Sequence, residues 1–348
     1  MLGLDRFTQP HAFGSSHGKS RIIREAYFEN PIYVPLVRRA YECWAELESR
    51  SGRPLLTPTG GLMIGPPDGV VVRGARASAL KHGLPFEELS AAAVHERFPA
   101  LLPAASDTAI WEPRAGILNP ESAIEAHLAL AREHGAQLRF GEPAESWTER
   151  PGGLVRVRTG EGMFDAAWLV VASGAWVAQL VPELALPLVV ERNVVHWFDP
   201  SAAFAHFGPG SLPIFIHEHE PGRIWYGFPD LGDGVKLALH HQGEPTTADT
   251  VRRDVSNDEV ERVRALADRF LPGAAGRVRE SMVCLYTNAP DEHFILDTHP
   301  GHRRVIVASP CSGHGFKFSS AIGEVIADLV LEGRSRFDLA PFSLSRFR

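Results

Sequence analysis

Long apolar runs are missing from this sequence. None approaches the roughly 18 residues that a membrane-spanning helix requires, so no membrane association of that kind is expected. The opening stretch, Met1 to His11, carries Asp5 and Arg6 and lacks the apolar segment of a secretory signal. Cysteine is scarce: Cys43, Cys284 and Cys311 are the only three. Their spacing makes no zinc pattern, and an odd number makes no disulfide framework. A reducing cytoplasm is the expected location. A basic excess is lacking too, since the formal net charge is −7, whereas nucleic-acid binders show basic patches or stripes. The densest arginine cluster, Arg262, Arg264 and Arg269, is interleaved with Glu259, Glu261 and Asp268 and reads as a solvated helix face. The histidine pairs His217/His219 and His240/His241 have no third ligand at a matching spacing, so no metal is expected.

What is present suits a globular α/β (α+β) protein of two domains. The 348 residues are 44% hydrophobic and 22% charged, ample for a core and long for one compact unit. Val34, Leu36, Val37, Ala40, Trp44 and Leu47 give helical spacing over 31–47. Residues 62–64 and 70–72 are strand-like. Asn119, Pro120 and Glu121 form a helix start, and Gly135 a stop. Strands are expected at 137–140, 154–159 and 168–172, the last continuously apolar as if buried on both faces. It runs into the small-residue turn Ser173-Gly174-Ala175, which would let backbone approach a ligand. The stretch 190–285 is rich in β-branched and aromatic residues, with turns at Pro209-Gly210, Pro221-Gly222 and Gly232-Asp233-Gly234. An antiparallel sheet is expected, interrupted by a helix that Ser256 and Glu259 cap as a box. A strand at 305–308, a glycine-rich turn and a helix over 319–332 close the chain. A discontinuous cofactor domain (1–56, 120–189, 291–348) would thus flank a sheet-rich substrate domain (57–119, 190–290), with the site between them.

Three stretches could carry chemistry. The tail Ser309 to Phe318 puts Gly313, Gly315 and Lys317 between a strand and a helix start, where backbone N–H groups face a ligand; such a turn can equally be only a turn. The stretch Gly14 to Arg24 gathers His17, Lys19, Arg21 and Arg24 beside apolar Ile22 and Ile23. Arg21 and Arg24, three apart, can face one side of a turn and suit a carboxylate; a surface basic patch is the alternative. Cys284 lies in a strand-like run, where a core thiol is the default, and Lys236 would by default be a surface lysine.

Together these stretches resemble the monomeric sarcosine oxidase and N-methyltryptophan oxidase family over nearly the whole chain. The resemblance is carried by Gly14 to Arg24 (Gly-Ser-Ser-His-Gly-Lys-Ser-Arg-Ile-Ile-Arg), Tyr226 to Pro229, Val235 to Leu237, Cys284 to Thr287, Asp291 to Asp297 and Ser312 to Phe318 (Ser-Gly-His-Gly-Phe-Lys-Phe). The closing Asp338 to Phe347 leans toward the N-methyltryptophan oxidase branch. The resemblance implies FAD attached covalently through Cys284, with His17 and Arg21 against the flavin ring. It implies that Arg24 and Lys317 grip the substrate carboxylate and that Lys236 assists oxygen reduction through water. Tyr226, His240 and Tyr286 would line the substrate pocket, and Asp5 would bind the adenosine ribose. The small-residue turns at Ser173-Gly174 and Gly313-His314-Gly315 complete the cofactor-binding set. The implied reaction is oxidative demethylation of an N-methyl amino acid with O2, giving formaldehyde, the amino acid and hydrogen peroxide, by a monomer.

Family members open with a strand, a Gly-x-Gly-x-x-Gly turn and a helix, all before the position of Met1. Gly160-Glu161-Gly162, Gly208-Pro209-Gly210, Gly232-Asp233-Gly234 and Gly313-His314-Gly315 each lack the third glycine. The expectation is a start codon placed too late, the alternative a truncated gene. Two other readings stay open: a flavin-free, non-catalytic remnant that binds a small amino acid, and an oxidase for cyclic imino acids such as pipecolate.

Overall fold

The fold is dominated by one nine-stranded sheet. In the computed structural model, which describes residues 1–200 and 206–347, its order runs Glu244–Thr246, Val189–Phe198, Val235–His240, Arg223–Phe228, Ile214–Glu220, Gly61–Gly65, Thr108–Glu112 and Glu87–Ser90. The long strand Val278–Asn288 pairs with the other side of Val189–Phe198. All neighbours are antiparallel except Ile214–Glu220 and Gly61–Gly65, which run parallel. The antiparallel sheet expected over 190–285 is therefore present and gains strands from the region before residue 119. Residues 201–205 of that stretch and the last residue of the expected tail lie outside the described residues.

Side chains alternate across a strand, and here the alternation separates two environments. One face carries Leu237, Trp225, Phe215 and Phe198, which form a core with Val260, Val263, Ala267 and Phe270 of the helix Asn257–Phe270. That helix starts as expected, with the Ser256 hydroxyl and the Glu259 carboxylate bonded reciprocally to each other's backbone N–H. The opposite face carries Trp197, Lys236, Ala238, Tyr226 and Cys284, and onto it folds the segment 14–24.

Smaller sheets and helices pack around this slab. Leu169–Val171 runs parallel to Val305–Ser309, which pairs antiparallel with Ile295–Thr298. Leu2–Asp5 runs parallel to Gln137–Phe140. The helices Val34–Ser51 and Ser319–Glu332 pack together, sharing a core with Tyr27, Tyr33 and Phe294. Trp44, fully buried, donates its indole N–H to the Lys317 carbonyl at 2.8 Å and so ties the first helix to the tail turn.

Three local expectations are corrected. Residues 70–72 are not a strand but open the helix Val70–His82. Val71, Val72, Ala75 and Ala79 give it one buried stripe, and the Glu218 carboxylate accepts the Val71 N–H at 3.1 Å, satisfying one donor of its first turn. The apolar run 168–172 is not buried on both faces. Its strand is at the edge of its sheet, with Val171 buried and Val170 36% exposed. Arg21 and Arg24 do not share a turn: Arg21 opens the strand Arg21–Ile23, and Arg24 lies just beyond its end.

Replacing Ser256 by Ala removes the helix cap without touching the core. The expected loss is about 1 kcal/mol, read as a lower midpoint with unchanged slope in urea unfolding; an unchanged midpoint contradicts the capping account.

Candidate functional site

Cross-strand register builds the centre of the site. Lys236 lies opposite Trp197 on one neighbour and Phe228 on the other, so its ammonium group comes within 5.1 and 4.6 Å of their ring centroids. Far from being a surface lysine, Lys236 is 2% exposed. Its Nζ bonds the carbonyls of Gly18 at 2.7 Å and Ser20 at 2.9 Å, and the Ser20 hydroxyl at 3.0 Å. Burial, with Arg21 nearby, depresses its pKa well below the ordinary lysine value. Either protonation state is satisfied: the ammonium donates three times, and the amine donates to the two carbonyls and accepts from the hydroxyl.

The segment 14–20 is irregular and is held by cations from within. Arg21 donates to the carbonyls of Ser20 at 2.8 Å, Ser15 at 2.8 Å and His17. Glu121, at the start of the helix Pro120–Glu133, accepts the N–H groups of Gly18 at 2.8 Å and Lys19 at 3.1 Å. Gly18 has φ +104, and a Cβ there would stand 3.3 Å from Arg21 Nη1 and 3.8 Å from both Cys284 Sγ and Lys236 Nζ. Cys284 is buried with Val195, Trp197 and Ala238 on one side and meets polar groups on the other: His17 Nε2 at 3.6 Å and Arg21 Nη2 at 3.9 Å. His17 Nε2 also lies 3.0 Å from the Val283 carbonyl, an acceptor only, so Nε2 carries a proton. Burial opposes ionisation of the Cys284 thiol, but the His17 hydrogen bond and the Arg21 guanidinium outweigh it and bring the thiol down to about 6.

A second cluster gathers residues from both ends of the chain around Tyr27. The Arg24 guanidinium lies 4.3 Å from its ring centroid and the Lys317 ammonium 5.2 Å. Lys317 donates to the His314 carbonyl at 2.6 Å and reaches the Tyr27 hydroxyl at 3.3 Å. His314 Nε2 is 2.9 Å from the Glu292 carbonyl and its Nδ1 2.6 Å from the Tyr27 hydroxyl, so the ring is neutral with its proton on Nε2. Burial above all keeps it so, at about 4. Burial and Arg24 lower Lys317 to about 7. Arg24 is 2% exposed and paired with both Glu29 oxygens at 2.7 and 2.6 Å, while its Nε is buried without a partner.

Between the clusters lie the aromatic residues. Tyr286 Oη is 3.3 Å from His240 Nδ1, Tyr226 stands edge-on to His240 with ring centroids 6.2 Å apart, and burial keeps His240 well below the ordinary histidine value. Gly313, at φ +76, abuts the Tyr286 ring, 2.7 Å from where its Cβ would be. A Cβ on Gly315 would meet the Pro310 carbonyl oxygen at 1.5 Å. The tail glycines thus serve close packing of the turn itself. Asp5 and Ser173-Gly174 form a separate region. Asp5 accepts from Phe7 N–H and Gln9 Nε2, both at 2.8 Å, and Phe7 approaches Trp176 at 5.6 Å, in the short helical turn Gly174–Trp176.

Buried polar capacity is left over. Ser15 Oγ, His17 Nδ1 and Ser173 Oγ have no hydrogen-bond partner, nor do Thr287 Oγ1, Asn288 Oδ1 and His241 Nε2 beside Tyr286. Unmet buried groups are uncommon in a finished interior; Ser15 Oγ and His17 Nδ1, in the segment around Cys284, fit a polar, ring-bearing group lying over that sheet face. Ser173 follows a parallel strand, where α/β folds place nucleotides. Sequence reasoning missed Tyr27, Glu29 and Glu112. Tyr27 and Glu29 follow the basic motif closely enough to have been included; nothing local marks Glu112. Among the described residues, no helix is long and apolar enough to cross a membrane, and no group of three or more His, Cys, Asp or Glu is placed to hold a metal.

Comparison with known proteins agrees with this arrangement. The pattern of the family described as FAD dependent oxidoreductase matches residues 2–329. The chain is 41% identical to a monomeric sarcosine oxidase of Streptomyces avermitilis, covering 99% of this chain and 91% of that protein. It is 37% identical to an N-methyl-L-tryptophan oxidase of Salmonella heidelberg, covering 100% and 92%. Among solved structures, NikD, an unusual amino acid oxidase essential for nikkomycin biosynthesis, superimposes with a TM-score of 0.85 at 22% identity over 98% of this chain and 90% of that one. Glycine oxidase from Geobacillus kaustophilus gives 0.81, also at 22%, over 99% and 91%.

In the chain free of flavin, thiolate ultraviolet absorbance is expected to develop with one midpoint at about pH 6 from Cys284. Burial pushes Cys43 up to about 11 and raises Cys311, so Cys284→Ser should erase the first step alone. A first step only near the ordinary value of about 8.5 would contradict the electrostatic account of the thiol.

Proposed function

The chain belongs to the FAD dependent oxidoreductase family, and from that premise we propose that it oxidatively demethylates a small N-methyl amino acid of the sarcosine or N-methyltryptophan type. The observation that carries the proposal is the meeting of Arg24 and Lys317 at Tyr27, both near enough to His240 to help depress its pKa, with His240 on the sheet face that also carries Lys236 and Cys284. The overall balance is N-methyl amino acid, O2 and water to amino acid, formaldehyde and hydrogen peroxide. FAD, when bound, accepts a hydride equivalent from the carbon beside the amine and passes the electrons to O2.

The residues of the chain divide the remaining work. Cys284, held as a thiolate by His17 and Arg21, is the proposed point of covalent attachment. Arg21 and His17 would hold the flavin ring, and Ser15 Oγ and His17 Nδ1 have hydrogen-bonding capacity left over for it. Lys236, buried and with a depressed pKa, is the proposed cation for oxygen reduction. Asp5, Ser173 and Gly174 would hold the nucleotide end, and Gly313 and Gly315, which shape the tail turn against Tyr286, would complete the cofactor-binding set. The sheet-rich part, 57–119 and 190–290, is the proposed substrate domain, and the α/β segments are the cofactor domain.

On the substrate side, Lys317 and Arg24 offer positive charge to a carboxylate. Arg24 does so in exchange with Glu29, whose carboxylate occupies it in the free site. Tyr226, His240 and Tyr286 close the pocket with neutral side chains. Positive charge nearby favours the neutral amine, the form able to give up hydride. Lys317, at about 7, is charged below that value and neutral above it, so carboxylate affinity of the free site should weaken as pH rises through 7.

Cys284→Ser is expected to abolish yellow colour that survives acid precipitation; colour persisting in that variant contradicts the attachment. Lys317→Ala should raise KM for a carboxylate substrate by about tenfold or more, and an unchanged KM would remove Lys317 from the site. Peroxide release with sarcosine, N-methyltryptophan and pipecolate identifies the substrate, and release with pipecolate alone favours the cyclic imino acid reading.

A further inference from the structure

One buried carboxylate beside the site has no part in the work described above. Glu112 ends the strand Thr108–Glu112 and is 2% exposed. Its two oxygens receive two consecutive peptide N–H groups, Glu25 on Oε1 and Ala26 on Oε2, each at 2.7 Å. Those peptides directly follow Arg24. The Ala26 unit is shared, because its carbonyl accepts Arg24 Nη1 at 3.1 Å. The next residue is Tyr27, whose ring carries Arg24 and whose hydroxyl receives Lys317.

We infer that Glu112 is a positioning residue for carboxylate recognition: its side chain clamps the irregular segment after Arg24 so that Ala26 and Tyr27 hold the two cations in place. The inference rests on the reading of Arg24 and Lys317 given above. A neutral acceptor could satisfy one of these N–H groups without the cost of burying charge. A carboxylate is the side chain that binds two at once with charge-assisted bonds. The groups facing it are Arg24 and Glu25 on the clamped segment and Tyr41 from the helix Val34–Ser51. Glu25 itself pairs with Arg114 at 2.7 Å and Arg38 at 3.8 Å. Burial raises the Glu112 pKa, the two N–H groups and Arg24 restrain it, Glu25 adds to it, and the balance is about 7. Protonation turns one oxygen into a donor, which cannot serve a peptide N–H in the same way. The clamp is therefore complete above about pH 7 and slackens below.

The test is equilibrium binding of acetate, which cannot be oxidised at an amine, to the flavin-loaded enzyme across pH. Unsubstituted enzyme should bind best near pH 7, with an acid limb from Glu112 and an alkaline limb from Lys317. Glu112→Gln should weaken acetate binding by roughly tenfold, raise KM while leaving kcat within about twofold, and abolish the acid limb while the alkaline limb stays. An acid limb that persists in this variant, or an unchanged acetate affinity, overturns the inference. If the variant does not fold, the pH profile of unsubstituted enzyme decides, and affinity flat on the acid side of pH 7 overturns it. Arg24→Gln and Lys317→Ala separate the two levels. If both leave acetate affinity unchanged, the carboxylate site itself is wrong. If both weaken it and Glu112→Gln does not, only the role of Glu112 falls.

Discussion

The structure turns on the burial of positive charge against backbone carbonyls rather than carboxylates. Lys236 is held by Gly18 and Ser20, Arg21 by Ser15, His17 and Ser20, and Lys317 by His314. Carbonyl dipoles satisfy the donors without cancelling their charge, so whatever positive charge the site carries is left unquenched. An acidic partner for each cation would have been a cheaper way to bury it and would have quenched the field. Of these four site cations, Arg24 is the one paired with a carboxylate, Glu29. The low thiol pKa of Cys284, the depressed values at Lys236 and Lys317 and the neutrality of His240 and His314 follow from this one choice together with burial.

That choice also explains the order of elements. A loop that ligates buried cations with its carbonyls must itself be immobile, and the segment 14–20 is immobilised from several directions. Arg21 ties its carbonyls from inside, Glu121 takes two of its N–H groups, and the sheet face supplies Lys236 and Cys284 from below. Glu112 does for the next segment, 25–26, what Glu121 does for 18–19: a carboxylate from a regular element accepts two adjacent peptide N–H groups of an irregular one. The raised pKa of Glu112 means that its ionisation near neutrality works against the stability of the fold; protonation at lower pH favours the folded chain while loosening the clamp.

Much of this was legible in the sequence. Regular elements announced themselves through period and punctuation: the capping box at Ser256 and Glu259, the start at Asn119-Pro120 and the closing helix over 319–332 all stand where their local chemistry puts them. The site was legible mainly through family resemblance, since the segment holding His17 and Arg21 is far in the chain from Lys236 and Cys284, and it meets them only because it folds onto the face where cross-strand register places those two. Errors arose where tertiary context overrides local preference. The valines at 70–72 favour a strand in isolation, yet the buried stripe they share with Ala75 and Ala79, and the carboxylate of Glu218 from a distant strand, make them helical. Glu112 gave no signal, because an acid at a strand end is ordinarily solvent-facing.

The face-by-face division of the large sheet carries a constraint on how such a protein can vary. Lys236 and His240 share one side of a strand whose other side, through Leu237, is core. The turn Gly232-Asp233-Gly234 feeds that strand, with both glycines at positive φ. Lengthening the turn by one residue and slipping the pairing would put the lysine into the hydrocarbon interior and a leucine beneath the thiol. Even-numbered slips preserve the parity but shift Lys236 off the Trp197 and Phe228 rings. A change in loop length that shifts the register at this hairpin would therefore dismantle the site, although the same glycine-rich turn is exposed and a side chain at Gly232 would meet no neighbour.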